Sequence, residues 1–174
     1  DHVAGIDDLR PFCLFGDVDI YAQNDVVEGL HHTMPYCFKK HLYPGVPHLR
    51  LHTVEPHKAI HVCREKSIIA QFPASGSNLE GVINRQPTIV EVKPSTDEID
   101  IIPIRVMHGQ LPILGYRIGT FAYITDMKSI DDAEISYLEG VETLVVNALR
   151  FEKPHHSHQL VDDAIAFSRR VGAK

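Results

Sequence analysis

The chain has 174 residues, 44% of them hydrophobic and 23% charged, an ordinary balance for a folded soluble protein, and it reads as one domain over residues 1–174. A formal net charge of -6 argues against a bulk electrostatic nucleic-acid binder, which would show a basic face or stripe. Cys13, Cys37 and Cys63 are odd in number and lack Cys-x-x-Cys spacing, so neither a disulfide framework nor a thiolate zinc knuckle is indicated, and a reducing cytoplasm fits best.

In chain order, Asp1 to Phe12 reads as a loop and short helix in which Asp7, Asp8 and Arg10 mark a helix start with a nearby ion pair. Asp17 to Ala22 alternates as a strand, and Asn24 can cap a helix whose buried stripe is Val26, Val27 and Leu30. His31 and His32 fall at the C-terminal end of that helix, where its dipole favours a solvated cation. After the rigid turn Tyr43-Pro44-Gly45-Val46-Pro47, His48 to Val54 is a half-buried strand with His48, Arg50 and His52 on its polar side. His57 and His61 have helical spacing, but Pro56 and the β-branched residues nearby speak against a helical metal pair.

Lys66 to Phe72 and Thr88 to Val92 read as strands, separated by a loop at Pro73 to Asn78 and followed by a turn at Pro94 to Asp97. Ile101 to Ile104 starts a buried strand that ends on His108 and Gly109, and a second strand from Tyr116 to Thr125 delivers Asp126. Taken alone, His108 is either a structural histidine or a metal ligand, and Asp126 either a helix cap or a ligand. Ser129 to Leu138 reads as a helix capped by Ser129, and Thr143 to Leu149 as a buried strand. The cluster His155-His156-Ser157-His158 is a cation-binding patch or a polar loop, ahead of a helix from about His158 to Val171 with Leu160, Ala164, Phe167 and Val171 on its apolar face. Tyr116, Arg117 and Arg150 suit phosphate contacts, or else a core phenol and structural ion pairs.

Several segments carry a resemblance in order: Asp1-His2-Val3-Ala4-Gly5-Ile6-Asp7-Asp8-Leu9-Arg10-Pro11-Phe12, Tyr43 to Pro47, Pro103 to Gly109, Leu114 to Ile118, Tyr123 to Asp126, Ala148 to Arg150 and Pro154 to His158. The chain resembles metallo-β-lactamase-fold hydrolases, in particular the cyclic-phosphate phosphodiesterases of phosphonate breakdown. The resemblance is weaker from Lys58 to Asp97, and residues 58–97 read as an insertion. It implies an α/β fold, the αββα sandwich of two sheets with helices outside, here without the N-terminal segment that bears the first two histidines of the signature and without the strand that bears the last histidine. An open sheet face would then be covered by another chain or a homo-oligomer.

The resemblance also implies two divalent ions, Zn²⁺ or Mn²⁺, with Asp1 and His2 on one, His108 on the other and Asp126 bridging. His158 would protonate the leaving oxygen, and His155, Tyr116, Arg117 and Arg150 would contact a small phosphodiester. A tRNA 3′-processing endonuclease is the alternative enzyme, marked down because Asn147 stands where that branch carries a glutamate that can hold a proton. The alternative of a different class is a catalytically inactive fragment or a structural, oligomeric module.

Overall fold

The computed structural model describes residues 2–43, 45–71 and 88–173, with side chains except those of residues 15, 64–71 and 88–97. Its contacts divide into two compact units. One comprises Asp1–Tyr21, Asp25–His52 and Cys63–Glu98, and the other Ala22–Asn24, Thr53–Val62 and Ile99–Lys174.

The first unit opens with a 3₁₀ helix, Ala4–Phe15, in which Asp7 and Arg10 form the expected ion pair. Strand β1, Val18–Ala22, pairs with β2, Leu49–Thr53, in a two-stranded sheet. Between them lie helix α1, Asn24–Thr33, and a 3₁₀ turn, Pro35–Phe38. Leu30, Met34 and Cys37 form the core here, packed by Val3, Ile6, Ile20, Phe38, Leu49 and Leu51. The apolar stripe of α1 is narrower than the sequence suggests: Leu30 is buried in this core but Val26 is exposed and does not join it. On the polar side of the sheet, Arg50 spans Asp17 and Asp19, and His52 Nε2 meets Asp19 Oδ1 at 2.7 Å while its ring stacks on Tyr21. The pairs are exposed, so they add little stability.

A five-stranded sheet has the order β3-β4-β5-β6-β7, with β3 at Ile60–Gln71, β4 at Thr88–His108, β5 at Leu111–Ile118, β6 at Phe121–Ile124 and β7 at Thr143–Val146. β4 runs on through Pro94 to Asp97, where a turn was expected. Its pairing with β5 begins only at Ile101, so on that side Pro94 lies past the end of the neighbouring strand, where a proline is tolerated. The loop expected at Pro73 to Asn78 lies outside the described residues.

The expected strand from Tyr116 to Thr125 is instead a hairpin. β5 stops at Ile118, Gly119 takes a positive φ of 57° that a Cβ-bearing residue adopts with difficulty, and β6 returns antiparallel with Ile118 opposite Phe121. β6 then pairs in parallel with β7. Ile104, Val106, Ala122 and Ile124 share one sheet face with no exposed surface and pack with Met127, Leu138, Val141 and Phe167. Apart from Ala122, each of these side chains contributes roughly 1.5–3 kcal/mol through burial.

The helix expected from Ser129 to Leu138 is reduced to α2, Asp132–Ile135, and a 3₁₀ turn at Ser136–Leu138. Ser129 is not a cap, because its backbone pairs with Met107 and extends the sheet. The strand expected to reach Leu149 stops at Val146, and the last helix, α3, starts at Val161 rather than His158 and buries Ala164 and Phe167 as expected. No helix among the described residues is long and apolar enough to cross a membrane.

Candidate active site

The second unit brings three strand ends together. β4 closes on His108, and Gly109, at φ 65°, turns the chain towards β5. A Cβ added at Gly109 would stand 3.4 Å from His156 O and 3.6 Å from Ser157 Cβ, so the histidine loop packs directly against this turn. Beyond β6, the Met107 N–H donates to Ser129 O at 2.9 Å, and the Lys128 N–H to Met107 O at 2.6 Å. That backbone pairing lays the segment from Asp126 to Ser129 alongside His108.

His108 Nδ1 lies 2.6 Å from the backbone oxygen of Asp126. A carbonyl only accepts, so Nδ1 carries the proton and Nε2 presents its lone pair. Asp126 itself is held at φ 61°, a left-handed conformation uncommon outside glycine. Its Oδ1 is 3.9 Å from His158 Nδ1, and the rings of His108 and His158 meet edge to face with centroids 4.8 Å apart. The ring of His155 stacks on His158 at 5.1 Å, and His155 Nδ1 faces the Ser157 hydroxyl at 3.2 Å. Desolvation lowers the His155 pKa, and the neighbouring His156, His158 and Arg150 charges add to the effect.

The loop is fixed from several sides. Lys128 Nζ donates to His158 O at 3.1 Å, and the Leu149 N–H donates to Gln159 O at 3.0 Å. Arg150 pairs in parallel with Leu160, receiving the Val161 N–H on its carbonyl at 3.1 Å.

Of the residues singled out from sequence, His108, Asp126, His155 and His158 thus converge, with Arg150 on the bridge that closes their loop. Tyr116 and Arg117 do not join them. Arg117 lies opposite Ile102 on β4, six residues from His108 and roughly 20 Å away at the rise of a strand. Its guanidinium donates instead to Gly119 O at 2.8 Å and Tyr137 O at 2.7 Å, so it braces the hairpin. Tyr116 sits between Pro103 and Tyr123, and burial raises its phenol pKa. His2 belongs to the first unit, and Asp1 lies outside the described residues. Lys128 carried no signal in the sequence beyond its place two residues after Asp126.

Among the described residues no group of three or more His, Cys, Asp or Glu side chains stands ready to hold a metal ion. The donors that do converge, imidazole nitrogen and carboxylate oxygen, are the types that Zn²⁺ and Mn²⁺ take. The hydrogen bond from His108 Nδ1 to a carbonyl is also the usual support of a metal-binding imidazole, fixing the ring and freeing Nε2. These residues fit as part of a metal's ligand set.

The family model described as a beta-lactamase superfamily domain matches residues 1–174. A curated protein of Porphyromonas gingivalis (strain ATCC BAA-308 / W83), an octanoyltransferase, is 34% identical over 172 residues, which is 99% of this chain and 28% of that protein. The crystal structure of a new diphosphatase from the PhnP family is similar at 29% identity with a TM-score of 0.67, covering 98% of this chain and 52% of the other. The chain thus spans well under two thirds of both relatives.

Proposed function

The chain belongs to the beta-lactamase superfamily domain family, with the α/β fold of its PhnP-family neighbour, and on that premise we propose that it is a metal-dependent hydrolase of small phosphodiesters. The observation that carries the reading is the convergence of His108, Asp126 and His158 at the ends of β4 and β6. The PhnP-family diphosphatase, similar over nearly the whole chain, supports phosphorus as the reacting centre.

His108 and Asp126 would contribute ligands to a centre of divalent ions, Zn²⁺ or Mn²⁺. Such ions, when bound, supply Lewis acidity towards phosphoryl and water oxygens that the side chains lack. The chain's own contribution is placement. Asp126 carries a carboxylate on a turn that backbone pairing holds in register with His108. His158 stands where it can exchange a proton with a leaving oxygen, kept there by Lys128 and by its stack with His155. Arg150 and His155 would face the phosphate, whereas Arg117, committed to two carbonyls, would not. We place the protein in the cytoplasm, and take a small molecule rather than a nucleic acid as its substrate because of the acidic balance of the chain.

The similarity to an octanoyltransferase favours a second reading, hydrolysis of an acyl ester or thioester. One experiment tests both. The full-length protein, loaded with Mn²⁺ or Zn²⁺, is assayed on bis(p-nitrophenyl) phosphate and on p-nitrophenyl octanoate. We expect turnover of the phosphodiester, lost in His108→Ala and Asp126→Ala variants that keep the wild-type circular dichroism. Turnover of the octanoate alone would select the second reading, and full activity in either variant would end both.

A further inference from the structure

The ladder between β6 and β7 ends with Ile124 opposite Val146, and a side chain takes over from it. Asn147 Oδ1 accepts the Met127 N–H at 2.8 Å, and Asn147 Nδ2 donates to Met127 O at 3.0 Å. Met127 has no exposed surface, so its two backbone groups are out of reach of water, and one carboxamide satisfies both. Asparagine is the shortest side chain that carries a donor and an acceptor on separate atoms, one for each backbone group.

The Met127 N–H belongs to the same peptide group as the Asp126 carbonyl. On one side of that trans peptide, Asn147 Oδ1 receives the N–H, and on the other the carbonyl receives His108 Nδ1–H at 2.6 Å. The three groups form a single file of hydrogen bonds, each polarising the next. Turning the peptide to relax the φ of 61° at Asp126 would break both ends at once.

We propose that Asn147 is a positioning residue for the metal-facing pair: it locks the peptide between Asp126 and Met127 so that its carbonyl holds the proton of His108 on Nδ1 and leaves Nε2 as the ligand atom. Asn147 touches neither substrate nor metal in this role, and acts only through the peptide. The inference rests on the reading of His108 as a ligand, but it makes a claim about the metal-free protein that can be tested without turnover.

The experiment is a long-range proton–nitrogen NMR spectrum of full-length, metal-free protein containing ¹⁵N-histidine, at about pH 8.5 where imidazoles are neutral. The His108 signals are assigned by their loss in His108→Ala. In the wild type His108 is expected as the Nδ1–H form. Asn147→Ala shifts it towards the Nε2–H form. Should Asn147→Ala fail to fold, Asn147→Ser replaces it, its hydroxyl being too short to reach Met127. In the loaded protein, the Ala or Ser variant lowers kcat on bis(p-nitrophenyl) phosphate about 10- to 100-fold, the usual effect of losing a ligand's support, with KM little changed.

A wild-type His108 found as Nε2–H would overturn the proposal outright. So would an unchanged tautomer in the Ala or Ser variant. Wild-type protein that shows the expected tautomers yet turns over no ester would sink the hydrolase reading and leave the positioning role of Asn147 standing.

Discussion

Gly115 offers a direct test of how the sheet packs. It lies on β5 opposite Ile104, and a Cβ built there would stand 2.8 Å from Ile124 Cγ1, 3.1 Å from Cγ2 and 3.2 Å from Cβ. Its own φ is not in the left-handed region, so the cost of Gly115→Ala is steric. Replacing a strand glycine by alanine returns about 0.5–1 kcal/mol of chain entropy. Overpacking a close-packed site costs about 1–3 kcal/mol, and the upper half of that range applies because Ile124 is fully buried and β-branched, with little freedom at χ1. The net effect is a destabilisation of about 1–2.5 kcal/mol, read from urea denaturation as a lower midpoint at constant slope. The decisive comparison is the same substitution in an Ile124→Ala background. Ile124→Ala alone costs about 2–5 kcal/mol and removes the 2.8 Å and 3.1 Å contacts, leaving only the 3.2 Å approach to the Cβ at position 124, so there Gly115→Ala costs markedly less. A coupling of about 1 kcal/mol or more is expected between the two positions. Equal costs in the two backgrounds would refute the packing of β5 on Ile124.

Three further outcomes follow from local contacts. Glu134 is buried and accepts from both His57 Nε2 at 2.7 Å and the Arg105 N–H at 3.1 Å, so Glu134→Ala strands a backbone donor and should cost about 2–4 kcal/mol. His57→Ala, removing the more exposed partner, should cost less in the same urea titration, and the reverse order would contradict the assignment. Asp126→Gly should abolish hydrolysis yet leave stability within about 0.5 kcal/mol, since glycine accepts the φ of 61° that aspartate resists; calorimetry beside the phosphodiester assay separates the two effects. Iodoacetamide at about pH 8 should alkylate exposed Cys63 before Cys13 and spare Cys37 until the protein unfolds, because burial, and after it the charge of Asp7, raises the Cys37 thiol pKa; early labelling of Cys37 by mass spectrometry would speak against its buried site.

What could be read from the sequence was mostly what a residue does to its own stretch of chain. The apolar run ahead of His108 and the glycine after it announced a strand end, and the spacing of Ala164 and Phe167 announced the buried side of the last helix. Pairing was less legible. The two residues Gly119 and Thr120 decide whether Tyr116 to Thr125 continues or folds back, and no apolar pattern reports it, because both hairpin arms alternate in the same way. That one turn removes Arg117 from the site and gives its guanidinium to the hairpin. Ser129 shows the same competition, since its composition suits a helix cap but its backbone is taken by Met107.

The site therefore depends less on its side chains than on backbone pairing that runs past the ends of the strands. His108 meets Asp126 because Met107 pairs with Lys128 and Ser129, and the peptide at Asp126 keeps its orientation because Asn147 continues a ladder that the main chain has left. The resemblance drawn from the sequence sets Asn147 against a glutamate expected of the tRNA-processing branch. The geometry of Asn147 gives a different reason for an amide there: a carboxylate could accept from the Met127 N–H, but it could not also donate to Met127 O, and that oxygen is buried. A position that looks like a lost proton carrier is, in this chain, a hydrogen-bond donor and acceptor for one buried residue, and the ring of His108 is set through it.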